Sequence, residues 1–546
     1  MDTNHIIKVV AGIGINKLTK CLGNDRLSRL AELGIQMTPL NIARAAFQEQ
    51  GFELFRRRDL RAAILNGLSP AQLNKICGPT QAPHDPDALA EFKWAKNNAA
   101  ERFLSILGVK SEDVFAAPQE GTEYSIQTKI HKPLFDYQNS VRKQLNSFIG
   151  SNKRKRIIAH MPTGAGKTRT TMELVADFIR NRNESDPTLV VWMAHSAELC
   201  EQAVQAFMKI WSKLGSEDAN IYRFWGGKGV ADIDFSKPVF VVTSFQSCYS
   251  AIMAGKDEKF EKMARLKREC DLLIVDEAHM STAPTYSLAI GFLCSSNTKL
   301  IGLTATPGKF LIGGNADEAL KLAEFYQNNK ITLGDEVTNG ANPIEFLQNR
   351  GILSRVDRER LDTEVDVKLS KRAAETISNL LDIPKEVLAQ LGGNAARTAK
   401  IAAATLRLAV EEKKPTIVFC PTKENATDLA LLLHEKGCQA GAITGETPTM
   451  VRRKWIKDFK SGEVQVLTNF GVLTTGFDAP KIEAVIIARP TTSVVLYSQM
   501  VGRGLRGAYV GGTKTCTLVD VTDNISNMPQ IPQAFTLFDH HFGAFK

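Results

Sequence analysis

The chain has 546 residues, of which 43% are hydrophobic and 23% charged, a composition typical of globular proteins and long enough for about three domains. No run of about 18 apolar residues is present, which argues against a transmembrane helix, and the nine cysteines form no CxxC pair, which argues against a disulfide framework or a local zinc site. The net charge is +9, yet residues 1–125 carry 15 Lys+Arg and 14 Asp+Glu, so the basic excess follows residue 125, as suits a surface that tracks a phosphate backbone.

The N-terminus begins with an acidic residue and has no basic leader ahead of its apolar run. We therefore expect no signal peptide. Scattered cysteines without a pairing pattern indicate reduced thiols, so we expect a cytoplasmic protein without a membrane partner.

Residues 1–125 are predicted to form a helical accessory domain. Thr38, Ser69 and Asp85 each precede a proline, the pattern of an N-cap residue followed by proline in the first helical position. Ser69 and Gln72 also have the spacing of a capping box. One helix face is predicted from residues at helical spacing, namely Phe92, Ala95, Ala99, Phe103 and Ile106.

From about residue 126 the pattern changes to short apolar runs that alternate with longer helical stretches, which predicts α/β domains with parallel sheets. Two such series follow one another. The predicted strands of the first are Ile157–His160, Leu189–Met193, Val239–Thr243, Leu272–Val275 and Leu300–Thr304. Those of the second are Thr416–Cys420, Ala440–Thr444, Val464–Thr468, Ala484–Ala488 and Thr515–Val519.

These patterns divide the chain into four parts. We expect the helical domain at 1–125, a first α/β domain at 126–350, a second at 351–525 and a C-terminal tail at 526–546. The linker between the α/β domains is predicted near residues 350–365.

A glycine-rich loop follows the first predicted strand. Its members are Thr163, Gly164, Ala165, Gly166, Lys167 and Thr168, and a helical pattern follows them. A strand, a glycine loop and a helix in this order place backbone N–H groups around a phosphate, where a Cβ would block the close approach. We expect Lys167 to reach the β- and γ-phosphates of ATP, and the hydroxyl of Thr168 to bind Mg2+.

Two adjacent carboxylates, Asp276 and Glu277, directly follow the run Leu272–Val275. Carboxylates at the end of a buried strand are costly unless they bind something. We expect Asp276 to hold Mg2+ and Glu277 to orient and deprotonate an attacking water. The alternative is a charged turn, which the lysine loop upstream disfavours.

In this order the motifs resemble those of superfamily 2 helicases of the DEAD/DEAH type, over roughly residues 130–520. The resemblance implies two tandem RecA-like domains. The phosphate loop has Met161 where the strict pattern GxxxxGK[ST] has a glycine, which is the common helicase form. Further matching segments are Tyr137-Gln138, Asp276–His279, Ala194–Leu199, Thr243–Gln246, Leu303–Pro307, Ile417–Cys420, Leu473–Pro480 and Gln499–Arg506.

The resemblance also implies roles for individual residues. Gln138 would recognise the adenine, and Gly476 and Asp478 would face the nucleotide. Gln499, Arg503 and Arg506 would act on the γ-phosphate from the second domain, the two arginines as arginine fingers. Coupling of hydrolysis to strand movement would involve His279, Thr304 and Thr306.

Nucleic-acid contacts follow from the resemblance as well, and they would grip the sugar–phosphate backbone rather than read bases. DNA is favoured over RNA. The candidates are His195, Ser196, Thr243, Ser244, Thr422, Gly445, Thr468 and Thr475. An ordinary capping or loop role is the alternative for each of them.

Three segments narrow the resemblance within the superfamily, namely Ala442–Pro448, Leu473–Pro480 and Arg489–Tyr497. They resemble those of RadD-type bacterial repair helicases, and the motor subunits of restriction enzymes are a close alternative. RadD-type proteins begin almost at the adenine-recognising motif and carry a cysteine-rich zinc module after the motor. This chain has a helical N-terminal domain instead and no CxxC pair, so the pathway, repair or phage defence, stays open. The alternatives to a helicase or translocase are a motor subunit that docks a partner protein through residues 1–125, and a non-catalytic ATP-switched clamp.

Overall fold

The computed structural model describes residues 3–55, 57–66, 68–77, 85–91, 98–109, 132–182, 188–226, 232–255, 258–305, 316–333, 335–368, 383–473, 481–491 and 493–526. Across these ranges, no helix combines the length and apolar character needed to cross a membrane.

The N-terminal part is helical, as predicted. Its helices span Thr3–Ala11, Ile15–Leu22, Asn24–Glu32, Pro39–Gln50, Arg58–Asn66, Pro70–Cys77, Pro86–Glu91 and Asn98–Ile106, with a 3-10 turn at Gly51–Phe55. Phe92 and Ala95 of the predicted helix face lie outside the described residues, whereas Ala99 and Phe103 are buried and Ile106 packs against the core.

The three predicted helix starts are confirmed. Helices begin at Pro39, Pro70 and Pro86, and the Oγ1 of Thr38 accepts the Asn41 N–H at 3.2 Å. The capping box also forms. The Ser69 N–H donates to Gln72 Oε1 at 2.9 Å while the Gln72 N–H donates to Ser69 Oγ at 3.4 Å. These bonds satisfy N–H groups that have no partner inside the helix.

A first α/β domain is built on a parallel seven-stranded sheet. Its strands are β1 (Arg156–His160), β2 (Leu189–Ala194), β3 (Asn220–Phe224), β4 (Val239–Ser244), β5 (Cys270–Asp276), β6 (Lys299–Thr304) and β7 (Lys330–Ile331), in the order β3-β4-β2-β5-β6-β1-β7. The helices around it are Asp136–Gly150, Lys167–Arg180, Ala197–Leu214, Phe245–Met253, Glu258–Glu269, Pro284–Leu293, Ala316–Phe325, Asp335–Thr338 and Pro343–Asn349, with a 3-10 turn at Ala278–Met280.

A second α/β domain follows on a parallel six-stranded sheet. Its strands are β8 (Arg355–Lys368), β9 (Thr416–Phe419), β10 (Ala440–Ile443), β11 (Val466–Asn469), β12 (Ala484–Ile487) and β13 (Thr515–Ser526), in the order β10-β11-β9-β12-β13-β8. The accompanying helices are Lys385–Gly393, Ala395–Leu406, Lys423–Glu435, Thr449–Ser461 and Val494–Val501, with a π turn at Arg407–Glu411 and a 3-10 turn at Ala508–Val510.

The two parallel sheets behind an N-terminal helical part confirm the predicted fold class. The predicted linker at 350–365 is wrong over most of its length, because β8 starts at Arg355 and pairs with β13 along the sheet edge. Two further strands, β3 and β7, were not predicted either. The domain boundaries themselves stay predictions.

The N-terminal helices dock onto the second α/β domain. Arg26 and Arg29, both on the helix Asn24–Glu32, form ion pairs with Asp428 on the helix Lys423–Glu435. Asp428 retains 1% of its side-chain exposure, and the Nη2 of Arg29 also donates to the Gly392 carbonyl at 2.9 Å. A buried carboxylate with two guanidinium partners holds the two parts together in a defined orientation.

Candidate active site

The phosphate loop lies between β1 and the helix Lys167–Arg180. Met161, the first residue of the loop, donates its N–H to the Thr304 carbonyl at 3.1 Å, which ties the loop to β6. Gly164 and Gly166 have φ values of 83° and 86°, a left-handed conformation that a side chain would strain. A Cβ on Gly166 would come 2.3 Å from Gln138 Nε2, so the loop needs glycine for space as well.

Gln138 lies on the helix Asp136–Gly150, directly against this loop. Its Nε2 donates to the Ala165 carbonyl at 3.0 Å, and its Oε1 accepts the Phe135 N–H at 3.1 Å. The Tyr137 hydroxyl donates to the same Ala165 carbonyl at 3.0 Å. Two side chains of this helix thus hold the middle of the loop.

Lys167 is the first residue of the helix after the loop, and its Nζ donates to the Met161 carbonyl at 3.3 Å. Burial lowers the pKa of its ammonium group, Glu277 and Asp276 oppose that effect, and Arg503 adds to it. A buried lysine facing a glycine loop suits the phosphates of a nucleotide, whose charge would stabilise the ammonium form. Thr168 follows in the first turn, at the position predicted to bind Mg2+.

The two predicted acidic residues lie at the carboxyl end of β5. Asp276 is the last residue of the strand, and it is 8% exposed. Glu277 has a φ of 53°, and its N–H donates to Asp276 Oδ1 at 3.0 Å. Burial and the neighbouring Glu277 raise the pKa of Asp276, while Lys167 lowers it. Strained backbone and a buried carboxylate are found together at functional sites.

His279 connects Glu277 to β6. Its Nδ1 lies 3.4 Å from Glu277 Oε2 and also 3.4 Å from the Oγ1 of Thr304, the last residue of that strand. Both His279 and Thr304 are buried. The structure therefore brings together two of the three residues that we expect to couple hydrolysis to movement, whereas Thr306 lies outside the described residues.

The second domain closes against the phosphate loop. A Cβ on Gly502 would come 2.2 Å from Thr163 Cγ2, and one on Gly164 would come 2.9 Å from Leu353 Cδ2. Arg503 follows Gly502 immediately, and its positive charge is one of the causes that lower the pKa of Lys167, after burial. The contact of Gly502 with Thr163 therefore brings Arg503 of the second domain toward the loop that leads into Lys167 of the first domain.

The other two residues predicted to act on the γ-phosphate, Gln499 and Arg506, make contacts through their backbones. The Gln499 carbonyl accepts a hydrogen bond from Arg503 Nε at 3.4 Å. Arg506 is fixed through its backbone, because its carbonyl accepts the Ser354 hydroxyl at 2.6 Å and it forms a β-bridge with Leu353. Gly476 and Asp478 lie outside the described residues.

Most of the candidate nucleic-acid residues lie at the carboxyl ends of strands, on the same edge of each parallel sheet. Ser196, Ser244 and Thr422 cap helices there, with their hydroxyl oxygens accepting backbone N–H groups at 3.1–3.3 Å. His195 follows β2, and Gly445 is an exposed residue shortly after β10.

Ser244 is buried, as are Thr243 and Thr468. Thr243 and Thr468 differ from the capping residues because their side chains bond to backbone carbonyls. Their hydroxyls donate to the carbonyls of Phe224 at 3.0 Å and Ala426 at 2.6 Å. A nucleic-acid contact at these two positions would have to come from the backbone. Thr475 lies outside the described residues.

Some residues around the site have no counterpart in the sequence predictions. Gly502 and Leu353 contact the phosphate loop, and Tyr509 lies against Phe135 with the ring centroids 5.6 Å apart. The proximity of Gly502 to Arg503 could have pointed to its importance. No local sequence pattern indicates that Leu353 or Tyr509 lies at the site.

Comparisons with known proteins match both α/β domains. Residues 131–309 match the family described as type III restriction enzyme, res subunit, and residues 399–508 match the helicase conserved C-terminal domain. The putative ATP-dependent helicase IRC3 of Saccharomyces cerevisiae is 26% identical over 390 residues, covering 68% of this chain and 49% of the relative. The putative mitochondrial ATP-dependent helicase irc3 of Schizosaccharomyces pombe is 27% identical over 395 residues, covering 70% and 56%.

Among solved structures, the ATP-dependent type ISP restriction-modification enzyme LlaBIII bound to DNA is 18% identical, with a TM-score of 0.49, over 74% of this chain and 29% of that chain. The chain spans about half the length of the two curated relatives.

Proposed function

We propose that this chain, which carries the two motor domains of a superfamily 2 helicase, couples Mg-ATP hydrolysis to movement along a DNA strand. The two domain matches confirm the resemblance that the motif series indicated, and the related ATP-dependent helicases confirm the class of enzyme, an ATP hydrolase. DNA as the track, and translocation as the outcome, are the proposed refinements.

One observation carries the proposal. Gly502 of the second domain packs against Thr163 of the phosphate loop, so the next residue, Arg503, reaches the loop that leads into Lys167. The positive charge of Arg503 also helps to lower the pKa of Lys167. A cation contributed by a separate domain can stabilise transition-state charge only while the two domains are closed. Hydrolysis in such a cleft is therefore tied to relative movement of the domains.

Each charged group has a defined task in this scheme. Lys167 would bind the β- and γ-phosphates of ATP, and Thr168 and Asp276 would hold a magnesium ion, which would screen the phosphate charge. Glu277 orients and deprotonates the attacking water. Arg503 and Arg506 stabilise the charge that develops on the transferred phosphoryl group.

Gln138 has the hydrogen-bonding capacity to recognise adenine. A side-chain amide offers two donors and two acceptor lone pairs, and the bonds to Ala165 and Phe135 use one of each. The amide has one further donor and one further lone pair, the set with which an amide pairs with N7 and N6 of adenine. Its side chain also interacts with the Tyr137 hydroxyl, and adenine would replace that interaction. Recognition of this kind excludes bases that present a different edge.

The strand would lie across the carboxyl-end edges of both sheets, where His195, Ser196, Thr422 and Gly445 are found. Capping hydroxyls and exposed backbone N–H groups bind phosphate oxygens without reading sequence. A change in the position of Glu277 during hydrolysis would move His279 and then Thr304, the last residue of β6, which lies at this edge.

Support for DNA comes from the first domain, which matches a restriction-enzyme family. Restriction enzymes act on DNA, and the basic excess of the chain lies in the part after residue 125. Steady-state ATP hydrolysis should be measured with single-stranded DNA, duplex DNA, forked DNA and RNA. We expect stimulation of several-fold or more by DNA, abolished in Lys167→Ala and Glu277→Gln. Hydrolysis that no nucleic acid accelerates would contradict the proposal.

The same family match favours a second candidate function, a motor subunit of a restriction or phage-defence complex. The N-terminal helical domain would then dock a partner protein. A partner that co-purifies in stoichiometric amount and is lost when residues 1–125 are deleted would support this function. Full strand-displacement activity of a monomer would count against it.

A further inference from the structure

The segment that follows the helix Val494–Val501 runs along the proposed nucleotide site of the first domain. At one end, a Cβ on Gly502 would meet Thr163, and the Leu505 carbonyl lies 4.0 Å from the Cβ position of Gly164. At the other end, the ring of Tyr509 lies against Phe135, with the centroids 5.6 Å apart and the planes tilted by 51°. Eight residues of the second domain therefore follow the site from its phosphate end to the helix that carries Gln138.

Tyr509 is held by its backbone and presents its ring outward. Its N–H donates to the Gly351 carbonyl at 2.9 Å, and it lies in the 3-10 turn Ala508–Val510. The residue is 71% exposed, although it is a large aromatic at a seam between two domains. An aromatic ring that is open to solvent on an anchored backbone can stack on a planar ligand.

Phe135 completes the arrangement from the first domain. Its N–H is the group that Gln138 Oε1 accepts, so the two residues share one local structure. Its ring also stacks on Tyr137 with the centroids 5.8 Å apart, and the adjacent Asp136 pairs with Arg350 at 2.6 Å. A base paired with Gln138 would therefore lie near Phe135, whose ring Tyr509 contacts from the second domain.

We infer that Tyr509 is a stacking platform for the adenine of bound ATP, contributed by the second domain opposite Phe135. A base stacked between two rings lies about 3.5 Å from each of them, so the ring centroids must be about 7 Å apart. The rings at 5.6 Å must therefore separate by about 1–2 Å when the base enters. The adenine would then contact both domains at the base end of the nucleotide, and Arg503 would link the domains at the phosphate end.

This inference rests on the proposed function in one respect, namely that the phosphate loop binds ATP. Stacking on Tyr509 and the amide edge of Gln138 together select a nucleotide with a purine base that presents the adenine edge. A ligand with the same phosphates but no base should bind with an affinity that does not depend on Tyr509.

Calorimetric titration of the full chain with a non-hydrolysable ATP analogue and with inorganic tripolyphosphate, both with Mg2+, tests the inference without requiring hydrolysis. Tyr509→Ala should weaken binding of the analogue by about fivefold or more, and binding of tripolyphosphate by less than about twofold. Tyr509→Phe retains a ring and should bind both ligands as the wild type does. Arg350→Gln is the control, since it breaks the neighbouring ion pair with Asp136 inside the first domain and leaves both rings.

Equal binding of the analogue by Tyr509→Ala and wild type would overturn the inference, and so would an equal loss of both ligands, since that indicates a structural role. A loss of the analogue alone in Arg350→Gln would assign base recognition to the Asp136–Arg350 ion pair and not to the ring of Tyr509. A wild-type chain that binds neither ligand would refute the proposed ATP site itself. If DNA stimulates hydrolysis by the wild type while Tyr509→Ala binds the analogue as tightly as the wild type, the stacking role of Tyr509 alone would be refuted and the proposed function would stand.

Discussion

The side chain of Thr163 in the phosphate loop and the backbone of Gly502 in the second domain are in direct contact, so that a Cβ on Gly502 would lie 2.2 Å from Thr163 Cγ2. The φ of Gly502 is −56°, which any residue can adopt, so space and not backbone conformation requires glycine here. Arg503 follows in the chain. The absence of a side chain at 502 therefore sets how closely Arg503 can approach Lys167.

Gly502→Ala should keep the domains apart at the phosphate loop. The added methyl group overlaps Thr163 and also lies 2.9 Å from the Ser498 carbonyl, and a backbone atom cannot move aside as a side chain can. We expect the kcat of DNA-stimulated hydrolysis to fall about tenfold or more, because small displacements of catalytic groups have large effects on rate. Stopped-time assays of phosphate release measure this directly.

Two variants serve as controls for that substitution. Gly393→Ala adds the same methyl group at a position with open space, so its kcat should match the wild type. Thr163→Ser removes the Cγ2 that Gly502→Ala meets, and the double variant should recover part of the rate. A Gly502→Ala protein with wild-type kcat would show that this contact does not limit closure.

Thr304→Val should uncouple hydrolysis from strand displacement. The substitution keeps the shape of the side chain but removes the hydroxyl that lies 3.4 Å from His279 Nδ1. Because His279 also contacts Glu277, the hydroxyl connects the carboxylate proposed to be catalytic to β6. We expect the number of base pairs separated per ATP hydrolysed to fall several-fold, with a smaller change in hydrolysis itself. Equal losses in both assays would instead indicate damage to the ATP site.

Asp428→Ala should release the N-terminal helices from the second domain. The change leaves Arg26 and Arg29 without their shared carboxylate, and it should lower the free energy of unfolding by about 2–4 kcal/mol. Faster hydrogen exchange in the helix Asn24–Glu32 would locate the effect. Asp218→Asn, which breaks an exposed pair with Lys237, should cost less than about 0.5 kcal/mol. Unchanged exchange in Asp428→Ala would show that apolar packing alone holds the interface.

His434 should make the stability of the chain depend on pH. Burial, with Arg44 of the N-terminal part adding to it, lowers the pKa of His434 from 6.5 to about 4, while its ring nitrogen lies 3.2 Å from the Cys438 carbonyl. The unfolded chain therefore takes up this proton at a higher pH than the folded chain. The associated stability is present above pH 6.5 and is lost as the pH falls toward 4.

Between pH 7.5 and pH 5 the expected loss is about 2 kcal/mol for this one group. Urea unfolding of the wild type and of His434→Gln at both pH values isolates it, because glutamine does not titrate. The decrease on acidification should be smaller in His434→Gln by about that amount. The same decrease in both proteins would assign the pH dependence to other groups.

How far the fold can be predicted from the sequence depends on where each strand lies in its sheet. The predicted strands that form β1, β2, β5 and β6 are inside a sheet, with both faces covered, so they are continuous apolar runs. The unpredicted β3, β7 and β8 lie at sheet edges. Charged residues are frequent in edge strands, and β8 carries so many that it resembled a linker.

The candidate site divides in a similar way. Lys167, Asp276 and Glu277 could be predicted because each follows a strand in a local pattern whose chemistry is evident. The contacts of Thr163 with Gly502 and of Phe135 with Tyr509 join positions more than 300 residues apart. Sequence spacing contains no information on such contacts, which depend on how the two domains close.

The central claim is that the second domain supplies a catalytic arginine to an ATP site on the first, and Arg503→Ala tests it most directly. Single-turnover hydrolysis of ATP should be measured with saturating DNA, together with nucleotide affinity. We predict that affinity stays within a few-fold of the wild type while the rate of hydrolysis falls by about 10³-fold or more, the contribution of an arginine finger. A rate of hydrolysis equal to that of the wild type would contradict the claim.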